Sequence, residues 1–167
     1  MTESQREALL QFHCGRSSED ELFAAFGRDF SKTPNDTIPL LQQARDNRNA
    51  DEVELALGLV FRFQPTADYL PLLCELLLAD FHFRHEDIIG ALQDAADPRS
   101  IPFLREAVLL KPRLAHLAYD DYGSYYKKCF WALRAIGTPD AISVIREFTT
   151  SEDSVVREQA LYRLSKI

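Results

Sequence analysis

Four segments of this chain carry one pattern: Ile38-Pro39-Leu40-Leu41-Gln42-Gln43-Ala44, Leu70-Pro71-Leu72-Leu73-Cys74-Glu75-Leu76, Ile101-Pro102-Phe103-Leu104-Arg105-Glu106-Ala107 and Ile142-Ser143-Val144-Ile145-Arg146-Glu147-Phe148. They begin at residues 38, 70, 101 and 142, at intervals of 32, 31 and 41 residues. Apolar residues at the first, fourth and seventh positions form one helical stripe. Proline, where present, sits in the first turn, where its missing N–H costs no internal hydrogen bond. Residues 91–106 align without a gap on 132–147 with six of 16 positions identical, among them Leu92/Leu133, Pro98/Pro139, Ile101/Ile142, Arg105/Arg146 and Glu106/Glu147. Apolar periodicity occurs in any helical bundle, but a bundle has no reason to repeat Pro-x-x-Ile and Arg-Glu in register. Duplication of one unit explains both.

A second helical pattern precedes each segment, at 19–26, 51–63, 85–95 and 125–136, so the repeating unit is a helix pair. Ser18-x-x-Glu21 and Asp51-x-x-Glu54 read as capping boxes, and Gly27 and Gly137 stand where helices end. One further helix at 3–13, with Thr2 as cap and Gly15 as stop, opens the array, and another at 153–165 closes it. The expected fold is all-α, a single domain over 1–167. Residues 1–50 form an irregular N-terminal cap and first pair, and 51–167 hold the clearer repeats. Trp131, between Phe130 and Ala132 on an apolar helix, is expected in the core.

Gly137-Thr138-Pro139-Asp140-Ala141-Ile142 and Asp153-Ser154-Val155-Val156-Arg157-Glu158-Gln159-Ala160 carry a family resemblance. The first is similar to the inter-helix turn, and the second to the Asp-x-x-Val-Arg-x-x-Ala helix start, of HEAT-like repeats of the phycobilisome-lyase type. The resemblance covers about residue 51 to the end and implies an α-α superhelix: a HEAT-like solenoid of four helix pairs plus one extra helix at each end. The chain also resembles small stand-alone bacterial HEAT-repeat proteins, some of which are immunity partners of toxins. That resemblance implies a non-enzymatic protein-binding scaffold, an immunity-type inhibitor that neutralises a bacterial toxin or effector by direct binding.

Stacked helix pairs leave a groove lined by the second helices. Arg105, Glu106, Arg146 and Glu147 fall there in two columns, either as a ladder of ion pairs between neighbouring helices or as contacts to a ligand. Charge is uneven: residues 1–50 carry 6 basic and 8 acidic groups, 51–100 carry 3 and 10, and 101–167 carry 10 and 8. The acidic middle, which includes Glu86 and Asp87, suits a basic protein partner. A formal charge of −7 and a pI of about 5.1 oppose binding to a phosphate backbone, so no nucleic-acid partner is expected.

The long third interval adds about ten residues at 111–127, and four of the six tyrosines lie within eight positions there: Tyr119, Tyr122, Tyr125 and Tyr126, interleaved with Asp120 and Asp121. Tyrosine offers large, rigid contact area at small entropic cost. The insert and the nearby Lys128 therefore read as a partner surface, or alternatively as a linker whose rings pack onto the repeats.

Chemistry is sparse. His82-Phe83-Arg84-His85-Glu86-Asp87 is the one cluster of metal-ligand residue types, with His82 facing His85 and Glu86 on a helix. It supports the alternative of a HEAT-like enzyme or enzyme subunit, bilin-lyase-like or metal-dependent. HEAT-like deoxyhypusine hydroxylases take His-Glu pairs from several repeats, whereas His85-Glu86 stands alone here. His13-Cys14 lacks a third orienting residue for a thiol nucleophile. No serine-hydrolase elbow, phosphate loop or dinucleotide fingerprint occurs. The expectation is no enzyme, no metal and no cofactor. With three cysteines lacking CxxC spacing, and no signal peptide or apolar run of about 20 residues, a cytoplasmic protein without a membrane partner is expected.

Overall fold

A computed structural model describes residues 1–65, 68–110 and 114–167. Among them are ten α-helices and no strand: α1 (Glu3–His13), α2 (Glu19–Phe26), α3 (Thr37–Asp46), α4 (Ala50–Phe63), α5 (Leu70–Leu77), α6 (His85–Ala95), α7 (Ile101–Val108), α8 (Gly123–Ile136), α9 (Pro139–Glu147) and α10 (Ser154–Leu164). Short 3-10 turns cover Pro34–Asp36, Pro98–Ser100, Ala115–Asp120 and Phe148–Thr150. In all four repeated segments the fourth and seventh residues are buried, as the stripe requires.

Local chemistry sets the helix ends. Thr2 and Gln5 cap α1 reciprocally, Ser18 and Glu21 do the same for α2, and Gly27 closes α2 in the left-handed region at φ 65°. The cap of α4 differs from the sequence expectation: Asn49, not Asp51, accepts from a backbone N–H, that of Glu52. The helix begins one residue sooner, which leaves Asp51 in the first turn and frees its carboxylate for Arg6 at 2.7 Å. The repeat is visible in the backbone too. Helices α4, α6 and α8 each end on a left-handed residue, Gln64 at φ 48°, Ala96 at φ 47° and Gly137 at φ 68°. Only the third has glycine's freedom there, so the first two hold a strained conformation that surrounding packing must maintain.

The described residues fall into two compact units, 1–69 with 81–83 and 70–80 with 84–167. In the first, α1 packs on α2 and α4, and α3 packs on α4. Leu9, Leu22, Phe26, Phe30, Leu55 and Leu59 form its interior. Gly58 lies in mid-helix, where glycine costs about 1 kcal/mol relative to alanine. His13 explains it: its ring would meet a Cβ at Gly58 at 2.2 Å, and its Nε2 stands 3.2 Å from the Leu55 carbonyl oxygen.

In the second unit, α5, α7 and α9 pack in succession, and α6, α8 and α10 form a parallel succession beside them. Helix α8 touches α6, α7, α9 and α10, and buries Tyr125, Tyr126, Cys129, Phe130, Ala132 and Leu133. The insert forms the 3-10 turn Ala115–Asp120, pinned by buried Leu114 and Leu117, while its residues 111–113 lie outside the described residues. Among the described residues, no helix is long and apolar enough to cross a membrane.

Helix α10 starts at Asp153, whose carboxylate accepts from the N–H groups of Val155 at 2.9 Å and Val156 at 3.3 Å. Asp153→Ala is expected to lower stability by about 1 kcal/mol in urea unfolding, in the range usual for a lost N-cap; no loss would contradict this cap.

Candidate functional site

The tyrosine-rich insert is not the exposed surface that its composition implies. Tyr122, Tyr125 and Tyr126 are buried, and Tyr119 alone of the four is open, at 69% exposure. The Tyr125 hydroxyl donates to the Ala107 carbonyl at 2.9 Å, the Tyr125 and Tyr126 ring centroids are 5.9 Å apart, and burial pushes the Tyr125 phenol far above its ordinary pKa. These rings seat the start of α8 on its own unit, so the linker-packing alternative describes them. Asp120 caps α8 from outside the helix, accepting from the Ser124 hydroxyl at 2.5 Å and from its N–H at 2.8 Å; the hydroxyl bond above all holds its carboxyl below the usual range. Asp121 is exposed, in a left-handed turn at φ 51°.

The charged residues of the expected contact surface are largely engaged with one another. Lys128 pairs with Glu86 at 3.2 Å, Arg84 with Asp87 at 2.8 Å, and Arg99 with Asp97 at 2.7 Å. Arg105 grips Glu147 side-on, Nε to Oε2 at 2.9 Å and Nη2 to Oε1 at 2.5 Å, which links α7 to α9 and lowers the Glu147 pKa. That is one ion pair of the kind the ladder reading expects, and being half-exposed it contributes about 0–1 kcal/mol. Glu106 and Arg146 are exposed on the same two helices.

The histidine cluster is drawn inward. His82 and His85 are both buried, and the His85 Nε2–H donates to the Ala79 carbonyl at 2.6 Å. Glu86 and Asp87 are held by the lysine and arginine named above. Among the described residues, no group of three or more His, Cys, Asp and Glu side chains is gathered so as to hold a metal ion.

A different constellation appears on α8 and α10, with one residue from α6. Gln93, Trp131, Arg134, Ala135 and Arg163 line a cleft of about 300 Å³. Trp131 is not in the core: it is 38% exposed, with the Lys127 ammonium 4.9 Å and the Arg163 guanidinium 4.8 Å from its ring centroid. Tyr162, 53% exposed, has Arg163 and Lys166 over its own ring at 5.4 and 5.3 Å. Arg163 is only 4% exposed, and its Nε and Nη2 are buried without a hydrogen-bond partner among the described residues. Burial, and then the charge of Arg134, push its pKa down. Unpaired buried donors of this kind cost about 1–3 kcal/mol each, which stacking on aromatic faces offsets only in part. Arg134 is tied to the Lys166 carbonyl oxygen at 2.7 Å. Among the described residues, no acidic side chain lines the cleft.

A smaller cleft of about 290 Å³ in the first unit, lined by Arg6, Leu10, Asp51, Glu54 and Leu55, has its arginine already occupied by Asp51.

The chain matches no family model, no curated protein and no solved structure. The reading of the site therefore rests on its geometry. Sequence reasoning missed Trp131, Arg134, Tyr162 and Arg163 as a group. One signal was present: Val156, Ala160 and Arg163 lie at i, i+4 and i+7, so Arg163 continues the buried stripe of α10. Leu164, one position on, offered an apolar continuation and concealed it.

Among the described residues no disulfide forms: Cys14 is exposed and Cys74 and Cys129 are buried, with burial raising the Cys129 pKa well above its ordinary value. A thiol reagent is expected to label one site rapidly in the native protein, and Cys14→Ser to abolish that phase. Rapid labelling of Cys129 would contradict the packing of α8.

Proposed function

We propose that this protein is a HEAT-like α-α superhelix that works as a non-enzymatic, cytoplasmic protein-binding scaffold, and more narrowly as an immunity-type inhibitor that neutralises a toxin or effector by direct binding. The observation that carries the reading is the outward face of α8 and α10, where Trp131 and Tyr162 stand exposed among Lys127, Arg134, Arg163 and Lys166. Tryptophan, tyrosine and arginine are the residues in which binding energy concentrates at protein interfaces. Their grouping on two adjacent helices, around a cleft, supports a docking role better than the insert does.

The paired successions α5–α7–α9 and α6–α8–α10 support the repeat architecture, because each helix pair buries its apolar face against the next. The face also alters the expected partner. Three carboxylates of the acidic middle, Glu86, Asp87 and Asp97, are held in ion pairs, whereas the α8–α10 face presents cations, so a partner that fits this face presents acidic side chains to it.

With the partner purified, calorimetry on Trp131→Ala and Tyr162→Ala is expected to show affinity reduced at least about tenfold for one or both, the size usual for a hot spot. Unchanged affinity in both, with circular dichroism showing folded protein, would overturn this face as the docking surface.

A further inference from the structure

We infer that the cleft between Trp131, Arg134 and Arg163 is a carboxylate-binding site that receives an aspartate or glutamate side chain of the partner polypeptide. This rests on the protein-binding reading above and names the chemistry by which that face recognises its partner.

Three other arginines of this protein meet a carboxylate through one edge of the guanidinium. A guanidinium offers Nε and Nη2 on one edge, a fork that matches a carboxylate. Arg105 turns that edge to Glu147, Nε at 2.9 Å and Nη2 at 2.5 Å. Arg62 turns it to Glu19 at 3.1 and 2.7 Å, and Arg99 to Asp97, with Nε at 3.1 Å and Nη2 at 2.7 Å. In Arg163 the same two nitrogens are the ones without a partner, and they are buried. The guanidinium is held against the Trp131 and Tyr162 rings, which fix its plane and leave its edge unmatched.

The surroundings agree. Arg134 adds a second cation, Gln93 adds an amide, and Ala135 is small enough to leave room beside them. Two guanidinium groups without an anion repel each other, which contributes to the depressed pKa of Arg163, and a bound carboxylate would neutralise that repulsion. The volume of about 300 Å³ lies at the low end for ligand pockets and suits one short acidic side chain better than a nucleotide.

Trp131 is the only tryptophan, so its emission reports on the cleft directly. The test titrates the full chain with N-acetylglutamate N-methylamide at constant ionic strength, with the glutamine analogue and inorganic phosphate as comparisons. The expected result is saturable change with a dissociation constant on the order of millimolar. Arg163→Met and Arg134→Gln should each weaken it at least fivefold, and Arg62→Gln, in the first unit, should not. Exposed Arg134 keeps the test decisive should Arg163→Met fail to fold. No saturation below about 100 mM, equal response to the glutamine analogue, or tenfold preference for phosphate would overturn the assignment. Failure here, with partner affinity still lost in Trp131→Ala, removes the carboxylate site and leaves the scaffold reading standing. Saturation in a chain that binds no polypeptide overturns the partner side chain as the occupant.

Discussion

Helix α8 sets the terms for the second unit. It packs against α6, α7, α9 and α10, so one side of it must be apolar, and Tyr125, Tyr126, Cys129, Phe130 and Leu133 occupy that side. With 3.6 residues per turn, Lys127, Trp131 and Arg134 then fall together on the opposite side, at i, i+4 and i+7. Helix α10 lies against α8 and contributes Arg163 from the edge of its own buried stripe, beside Trp131. The aromatic and cationic face is thus a geometric consequence of how α8 is buried. What packing does not account for is the guanidinium of Arg163, which is desolvated and yet unmatched.

The same dependence separates what could be read in the sequence from what could not. Helix ends were legible where one or two residues decide them: Ser18 with Glu21, Gly27, Gly137 and Asp153 all act where their chemistry indicates. The apolar stripes were legible because burial follows the helical period. Asn49 displaced Asp51 as the cap of α4 because each side chain stands three positions before a backbone N–H it could accept from; with Asn49 in that role, the Asp51 carboxylate meets Arg6, 45 residues away.

Side-chain fates set by neighbours distant in sequence were not legible. Tyr122, Tyr125 and Tyr126 have the composition of a contact surface, but Ala107 and the interior of α8 claim them. Trp131 has apolar neighbours in sequence, but its position on α8 turns it outward. Charge behaved in the same way. The count over residues 51–100 is strongly acidic, yet Glu86 meets Lys128 from α8, and Asp87 and Asp97 meet arginines close by. A regional sum describes long-range fields, whereas recognition at a contact depends on which charges remain unmatched after the chain has folded.

Mapping backbone amide shifts of the protein with and without its partner by nuclear magnetic resonance tests the central claim most directly. The account predicts that perturbations concentrate on residues 127–135 and 159–166, with the Trp131 indole N–H among the largest. Perturbations centred on residues 82–87 or 119–124, with α8 and α10 unaffected, would contradict it.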